Sequence, residues 1–331
     1  IIHTLPALTD AGRAIPGMTF DWVVENTFAE IPRWHPLVGE VIPIALRQWR
    51  KGLFSRETRL EWQQLRQRLQ AQQYDVILDA QGLVKSAFLT YFAKGLRVGL
   101  DFKSARESLA SFAYQRKCTV NFYQHAIVRM RRLFSQALGY TLPETAPDFD
   151  LTRLPLSPAP AEHYLVFLHG TTWETKLWPE AYWIQLAKLA EQAGYRVKLS
   201  SGNVEEMERA QRIARACTVV DALPRLALSD MASLLTNAKA VVAVDTGFGH
   251  LAAALNVPTV SLYGPTNPEY TGALGKTSIH LAAQFPCSPC MKRICTYREP
   301  SAVTPACYET LPPAYVWEQV KRLINPTIHN Y

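Results

Sequence analysis

Short apolar runs alternate with longer amphipathic stretches along this chain, and in its second half the alternation becomes regular. Residues 163–169, 196–200, 217–220, 240–244, 259–263 and 278–282 are candidate strands. Between them, residues 179–193, 204–216 and 228–238 carry apolar positions at helical spacing. Pro179 suits the first helical position, and Gly194 a helix end. Strands of nearly uninterrupted apolar character with helices between them predict parallel pairing with both sheet faces covered. The stretch 239–272 shows the unit best. One apolar run stops at Asp245-Thr246-Gly247, a short helical pattern carries His250, and a second run stops at Gly264-Pro265-Thr266.

The first half follows the same logic less cleanly. Residues 2–15 open as a helix closed by Pro16-Gly17, and strands are expected over 19–25, 40–44, 74–79 and 97–100. Residues 47–51 form a basic cluster on a loop, 56–72 a polar helix with a rough apolar stripe, 83–93 a helix, and 101–132 a mostly helical stretch. The proline-rich segment 141–160 has no periodicity and reads as an interdomain linker. Two strand-helix series predict two α/β domains, over 1–150 and 161–315, facing across a cleft. A C-terminal helix and tail, 316–331, is expected to cross back to the first. A doubly wound domain should begin with a strand, so the native N-terminus is expected to lie before Ile1.

Composition narrows the class. With 331 residues, 48% hydrophobic and 19% charged, the chain is globular, and no apolar run is long enough to span a bilayer. Residues 1–16 lack a basic leader and a long apolar core, so no secretory signal is expected among them. Residues 1–155 hold 20 basic and 14 acidic side chains, whereas the rest is nearly balanced. Within 85–132, ten Lys and Arg face only Asp101 and Glu107. Such crowding fits an anionic partner for the first half or a solubilising surface. Nucleic acid is disfavoured, because no stacking platform or recognition motif accompanies the charge.

The candidate chemistry sits at strand ends. The turn 169–179 (HGTTWETKLWP) combines backbone amides, the Thr171 and Thr172 hydroxyls and the Lys176 cation, which suits phosphate, although a plain turn fits too. Glu206, after Ser200-Ser201-Gly202-Asn203, is placed to accept ribose hydroxyls or to serve as a first-turn glutamate. Asp245 is a ligand contact or an N-cap, and His250 a ligand contact or a solvent-facing helix residue. Three such loops together suggest a nucleotide-diphosphate pocket. No P-loop, HExxH, GxSxG or GxGxxG occurs, and Asp79 lacks a second carboxylate for a glycosidase pair. Cys118 and Cys217 read as buried thiols. Cys287, Cys290, Cys295 and Cys307 fit a metal site, a disulfide or plain thiols.

With HGTTWETKLWP, the glutamate after SSGN and VDTGFGHLAAAL in this order, the chain resembles the lipopolysaccharide heptosyltransferases. These are ADP-heptose-using glycosyltransferases of family 9 with the two-domain GT-B architecture of Rossmann-like domains. IIHTLPALTD, FDWVVE, VIPIALRQWRK and VILDAQGLVKSA resemble the first-heptose members most. The resemblance implies inverting transfer of L-glycero-D-manno-heptose from ADP-heptose to the Kdo of Kdo2-lipid A. By the same likeness, Thr171, Thr172, Lys176, Glu206, Asp245, Thr246, Gly247 and His250 bind donor, with Lys176 and Asp245 catalytic. Arg47, Arg50, Lys51 and Arg106 bind the acceptor's anionic groups, and the general-base aspartate precedes Ile1. No cofactor is required, no acidic pair is committed to Mg, and no metal site is assigned. A monomer on the cytoplasmic face of the bacterial inner membrane, in peripheral contact with it, is expected. The cysteine segment looks closer to the second-heptose members, so transfer to an existing heptose is the alternative acceptor reading. A donor-binding homologue without activity is the other alternative.

Overall fold

Every strand pairing is parallel among the described residues of this computed structural model, which are 1–52, 55–158 and 162–325. The chain divides into two compact units, Ile1–Leu154 and Pro155–Tyr331.

The first unit holds two small sheets. In one, β1 (Phe20–Glu25) pairs with β2 (Val38–Ile44). In the other, β3 (Gln73–Leu78), β4 (Lys94–Leu100) and β5 (Arg116–Cys118) lie in that order. One core serves both, with Val24, Val38 and Val41 from the first sheet and Val98, Leu100 and Cys118 from the second. Ala7 and Leu8 of the helix Leu5–Ala14, and Leu133 and Phe134 of the helix Ala126–Leu138, complete it. Arg131 and Asp10 join these two helices by a buried ion pair, Nε to Oδ2 at 2.5 Å. The same guanidinium donates to the carbonyls of Thr145 and Pro143. Arg131 therefore belongs to the scaffold, not to an anion-binding surface.

Two expectations for this unit need correction. Residues 101–132 are not mostly helical: a 3-10 helix, Ser108–Ala113, and β5 precede the helix at Ala126. The three residues of β5 gain their structure from the edge of β4, with Val98 opposite Arg116 and Leu100 opposite Cys118. Local periodicity carries no record of that partner. The cluster 47–51 begins as a single helical turn, Leu46–Trp49, because Trp49 turns inward to meet Trp62 at 4.9 Å between ring centroids.

The second unit is built on one six-stranded sheet. Its strands are β6 (Tyr164–Leu168), β7 (Arg196–Leu199), β8 (Val220–Ala222), β9 (Ala240–Val244), β10 (Thr259–Tyr263) and β11 (Ser278–Ala282). Every residue of β6, β9 and β10 is buried, as two covered faces require. Trp183 of the helix Glu180–Gln192 packs edge-on to Trp178, and the Trp178 indole donates to the Leu311 carbonyl. Gly194, at φ +82°, ends that helix in the left-handed conformation that glycine adopts without a steric penalty. Pro179 stands one position earlier than expected, as the N-cap.

The C-terminal helix spans Pro313–Ile324. Val316, Trp317 and Val320 enter the core of the second unit. The tail 326–331 and linker residues 159–161 lie outside the described residues. No helix among those described is long and apolar enough to cross a membrane.

Candidate functional site

The order across the large sheet is β11-β10-β9-β6-β7-β8. From β6 the chain winds one way to β8, and from β9 it winds the other way to β11. The direction reverses between β6 and β9, and loops leaving the carboxyl ends of two such strands part to form a crevice. The turns predicted from sequence flank this point: residues 169–176 follow β6, and Asp245-Thr246-Gly247 follow β9.

Asp245 is the hub, with 7% of its surface exposed. Its Oδ2 lies 2.7 Å from Lys176 Nζ and accepts the Thr266 hydroxyl at 2.8 Å, while its Oδ1 stands 3.7 Å from His250 Nε2. Burial works against ionisation here. The opposing interactions with His250, Lys176 and Thr266 win, holding the carboxyl down at about 2. Thr171 donates its hydroxyl to the Asp245 carbonyl at 3.2 Å. Loops after three adjacent strands, β6, β9 and β10, are thus tied to one aspartate. The N-cap reading fails, since Thr246 holds that position, and His250 turns inward beside Asp245.

Glu206 enters from the loop after β7. Asn203 accepts its backbone amide at 2.9 Å, and its Oε2 accepts the Gly202 amide at 2.6 Å. A Cβ on Gly170 would lie 2.4 Å from the Glu206 carboxyl carbon, so any larger residue there would displace that carboxylate from the β6 turn. Gly247 opens the helix Gly247–Ala254 with free space around its Cα, and Thr246 makes no side-chain cap. First-turn amides are therefore available at the crevice. Thr172 is exposed on the β6 turn.

Sequence reasoning missed four supporting residues. Thr266 follows the second apolar run of the motif, and its place at a strand end was the available signal. Trp173 underlies the Lys176 ammonium at 4.6 Å, with the Arg293 guanidinium 5.3 Å from the same ring. Tyr308, wholly buried, donates its hydroxyl to the Lys176 carbonyl at 2.8 Å. No local pattern announces it, because the contact spans 132 positions.

The fourth is His169, which has no exposed surface. Burial, then the nearby Arg209 charge, lowers its pKa from 6.5 to about 4. Between those values the unfolded chain binds a proton that the native imidazole does not. Stability is then full above about pH 6.5 and declines as the pH falls toward 4. Thermal melting across this window should show the decline in the parent chain and a shallower slope in His169→Gln. Equal slopes would contradict the buried neutral imidazole.

Around the site, the cysteine segment acts as a brace. Thr175 donates its hydroxyl to the Lys292 carbonyl at 2.6 Å and its amide to that of Arg293 at 3.4 Å. All six cysteines are free thiols, and among the described residues no group of three or more His, Cys, Asp or Glu is placed to hold a metal. Burial and the neighbouring Cys287, Cys290 and Cys295 push the Cys307 thiol up to about 12. Cys118 is buried as expected, but Cys217 is only half-buried.

The basic candidates of the first unit are all exposed. Arg47, Arg50 and Lys51 follow β2, whereas Arg106 follows β4 with its amide against Gly82. Asp79 is structural: its carboxylate accepts the Tyr114 hydroxyl at 2.6 Å, the Ser86 hydroxyl and the Gln81 amide.

Comparison with known proteins adds an independent line. Residues 62–300 match the family described as glycosyltransferase family 9 (heptosyltransferase). Lipopolysaccharide heptosyltransferase 1 of Pseudomonas aeruginosa is 52% identical over 335 residues, spanning 98% of this chain and 94% of that protein. Its Escherichia coli namesake is 48% identical over 282 residues, spanning 84% and 88%. The solved structure of E. coli heptosyltransferase WaaC with ADP-2-deoxy-2-fluoro heptose superposes with a TM-score of 0.82 at 42% identity, over 97% and 95% of the two chains.

Proposed function

Since the chain belongs to glycosyltransferase family 9, the heptosyltransferases, we propose that its second unit binds ADP-heptose at the β6–β9 crevice. From there, heptose passes to the Kdo of Kdo2-lipid A with inversion at the anomeric carbon. The observation carrying this reading is the cation–carboxylate hub of Lys176 and Asp245 at the switch point. Around it, the backbone amides of the turn bearing Thr171 and the first-turn amides of the helix Gly247–Ala254 hold the diphosphate, and Glu206 accepts the ribose hydroxyls. Thr172 lies on the same turn as a further hydroxyl for the donor.

Asp245 does not leave the pocket anionic overall, because Lys176, Thr266 and His250 surround its carboxylate. Its work is to hold Lys176 and His250 in place for the sugar diphosphate. As the bond from the anomeric carbon to ADP breaks, negative charge grows on the leaving diphosphate. Lys176 and the Thr246-Gly247 amides stabilise that charge without rearranging. Arg47, Arg50, Lys51 and Arg106 receive the phosphates and carboxylates of the acceptor. Because that acceptor carries lipid, the enzyme works in peripheral contact with the cytoplasmic face of the inner membrane.

Transfer from ADP-heptose should proceed to Kdo2-lipid A and not to its mono-heptosylated form, with one heptose added in mass spectra. A product only from the heptosylated acceptor would replace this reading with second-heptose transfer. ADP-heptose binding without product from either would make the chain a donor-binding homologue.

A further inference from the structure

The loops that follow β4 and β5 place several large apolar side chains in solvent. Phe112 is 68% exposed and Tyr123 78%. Within the 3-10 helix Ser108–Ala113, Ala110 and Ala113 point inward to pack with Ala87 and Tyr114. Leu109 and Phe112, three apart and therefore eclipsed on such a helix, share the outward side. Phe102, two residues after β4, meets Phe112 edge-on, with ring centroids 6.2 Å apart at 71°. Phe122 adjoins the same turn, since Arg129 stacks on its ring at 4.5 Å while donating to the Ser104 carbonyl. Tyr123 lies against Phe122. The Phe102–Phe112 and Phe122–Tyr123 pairs are thus bridged by Arg129 across the loops that follow β4 and β5.

The patch is bordered by cations. Lys117 lies 5.7 Å from the Phe112 ring centroid, and Lys103 and Arg106 are exposed in the turn that carries Phe102. Of the two acids in this region, Asp101 is occupied by the Thr119 hydroxyl and the Ser104 and Lys103 amides. Glu107 accepts the Val84 amide. Exposed aromatic groups set among exposed cations match the zone between lipid headgroups and acyl chains, where rings insert and cations meet lipid phosphates. A protein partner would need a defined counter-surface, whereas an anionic bilayer needs only this combination of rings and charge.

We propose that this face, centred on Phe102, Leu109 and Phe112 and flanked by Lys103 and Lys117, is where the chain docks on an anionic lipid bilayer. The proposal rests on the reading of a lipid-borne acceptor and assigns the contact to particular loops. Arg106, one of the acceptor residues, stands in the turn between Phe102 and Leu109, so docking here brings acceptor headgroups to it.

The test is flotation of the full chain with vesicles of phosphatidylcholine alone and with phosphatidylglycerol added. The parent should float with the anionic vesicles and much less with the neutral ones. Leu109→Ser with Phe112→Ser should lower partitioning by more than about tenfold, and each of Lys103→Glu and Lys117→Glu by about fivefold or more. All four side chains are exposed, so unchanged far-ultraviolet circular dichroism and melting are expected. Heptose transfer to a deacylated, water-soluble Kdo acceptor should be unchanged, while transfer to vesicle-borne acceptor falls. Parent-like flotation of the Leu109/Phe112 variant would overturn the proposal. So would a parent that transfers heptose to the soluble acceptor yet floats with neither vesicle, which leaves the proposed function standing. Flotation lost in the variants, with no transfer by the parent to any acceptor, would support the docking face and remove the acceptor reading.

Discussion

Alanine at Lys176 will lower turnover by about 10²- to 10³-fold, the scale for deleting one preorganised charge donor at a developing oxyanion. The ammonium is fixed before substrate arrives, by Asp245 at 2.7 Å, the Trp173 ring beneath it and Tyr308 holding its backbone. Little reorganisation then remains for the reaction itself, which is why its removal should fall on kcat. KM for the acceptor should hardly change, because the residues proposed to receive the acceptor belong to the first unit. Steady-state kinetics with each substrate varied in turn measure this split. Lys176→Met, which keeps most of the bulk against Trp173, controls for lost packing and should be nearly as slow. Parent-like turnover in either variant would exclude the assigned role.

Alanine at Asp245 is the second large effect, acting first on stability. It leaves Lys176 partly buried without its counter-charge and strips Thr266 of its acceptor. Breaking a buried pair from one side costs about 3–5 kcal/mol. Asparagine separates the charge from the shape. The native carboxyl titrates at about 2 against an ordinary 3.8, so its stabilisation is present above the ordinary value and fades as the pH falls through the native one. That shift corresponds to roughly 2 kcal/mol. Urea midpoints of the parent and Asp245→Asn should differ most near neutrality and converge between about pH 4 and 2. A gap that stays constant through this range would show that the charge of Asp245 is not what the surrounding groups hold.

Most of the second unit was legible along the chain. Its strands are buried on both faces, so they appear as uninterrupted apolar runs, and turn residues mark their ends. The loops bearing Thr171, Lys176, Glu206, Asp245 and His250 were identified for the same reason: parallel strands deliver chemistry at their carboxyl ends. The first unit was less transparent. A three-residue edge strand such as β5 owes its conformation to β4, and the Arg131–Asp10 pair joins positions 121 apart. Neither leaves a local periodic signature.

Sequence by itself determined the α/β class, the strand ends that carry the polar residues, and the excess of cations in the first half, because covalent order alone fixes periodicity and charge. Tertiary structure decided which of those groups meet. It set Asp245 beneath Lys176, Thr266 and His250, lodged Tyr308 behind the Lys176 carbonyl, and turned the C-terminal helix into the core of the second unit. It also left Phe102, Leu109 and Phe112 facing water. The physical reason is common to all of these. Strand order and side-chain burial depend on contacts between residues far apart in the chain, and local pattern records only near neighbours.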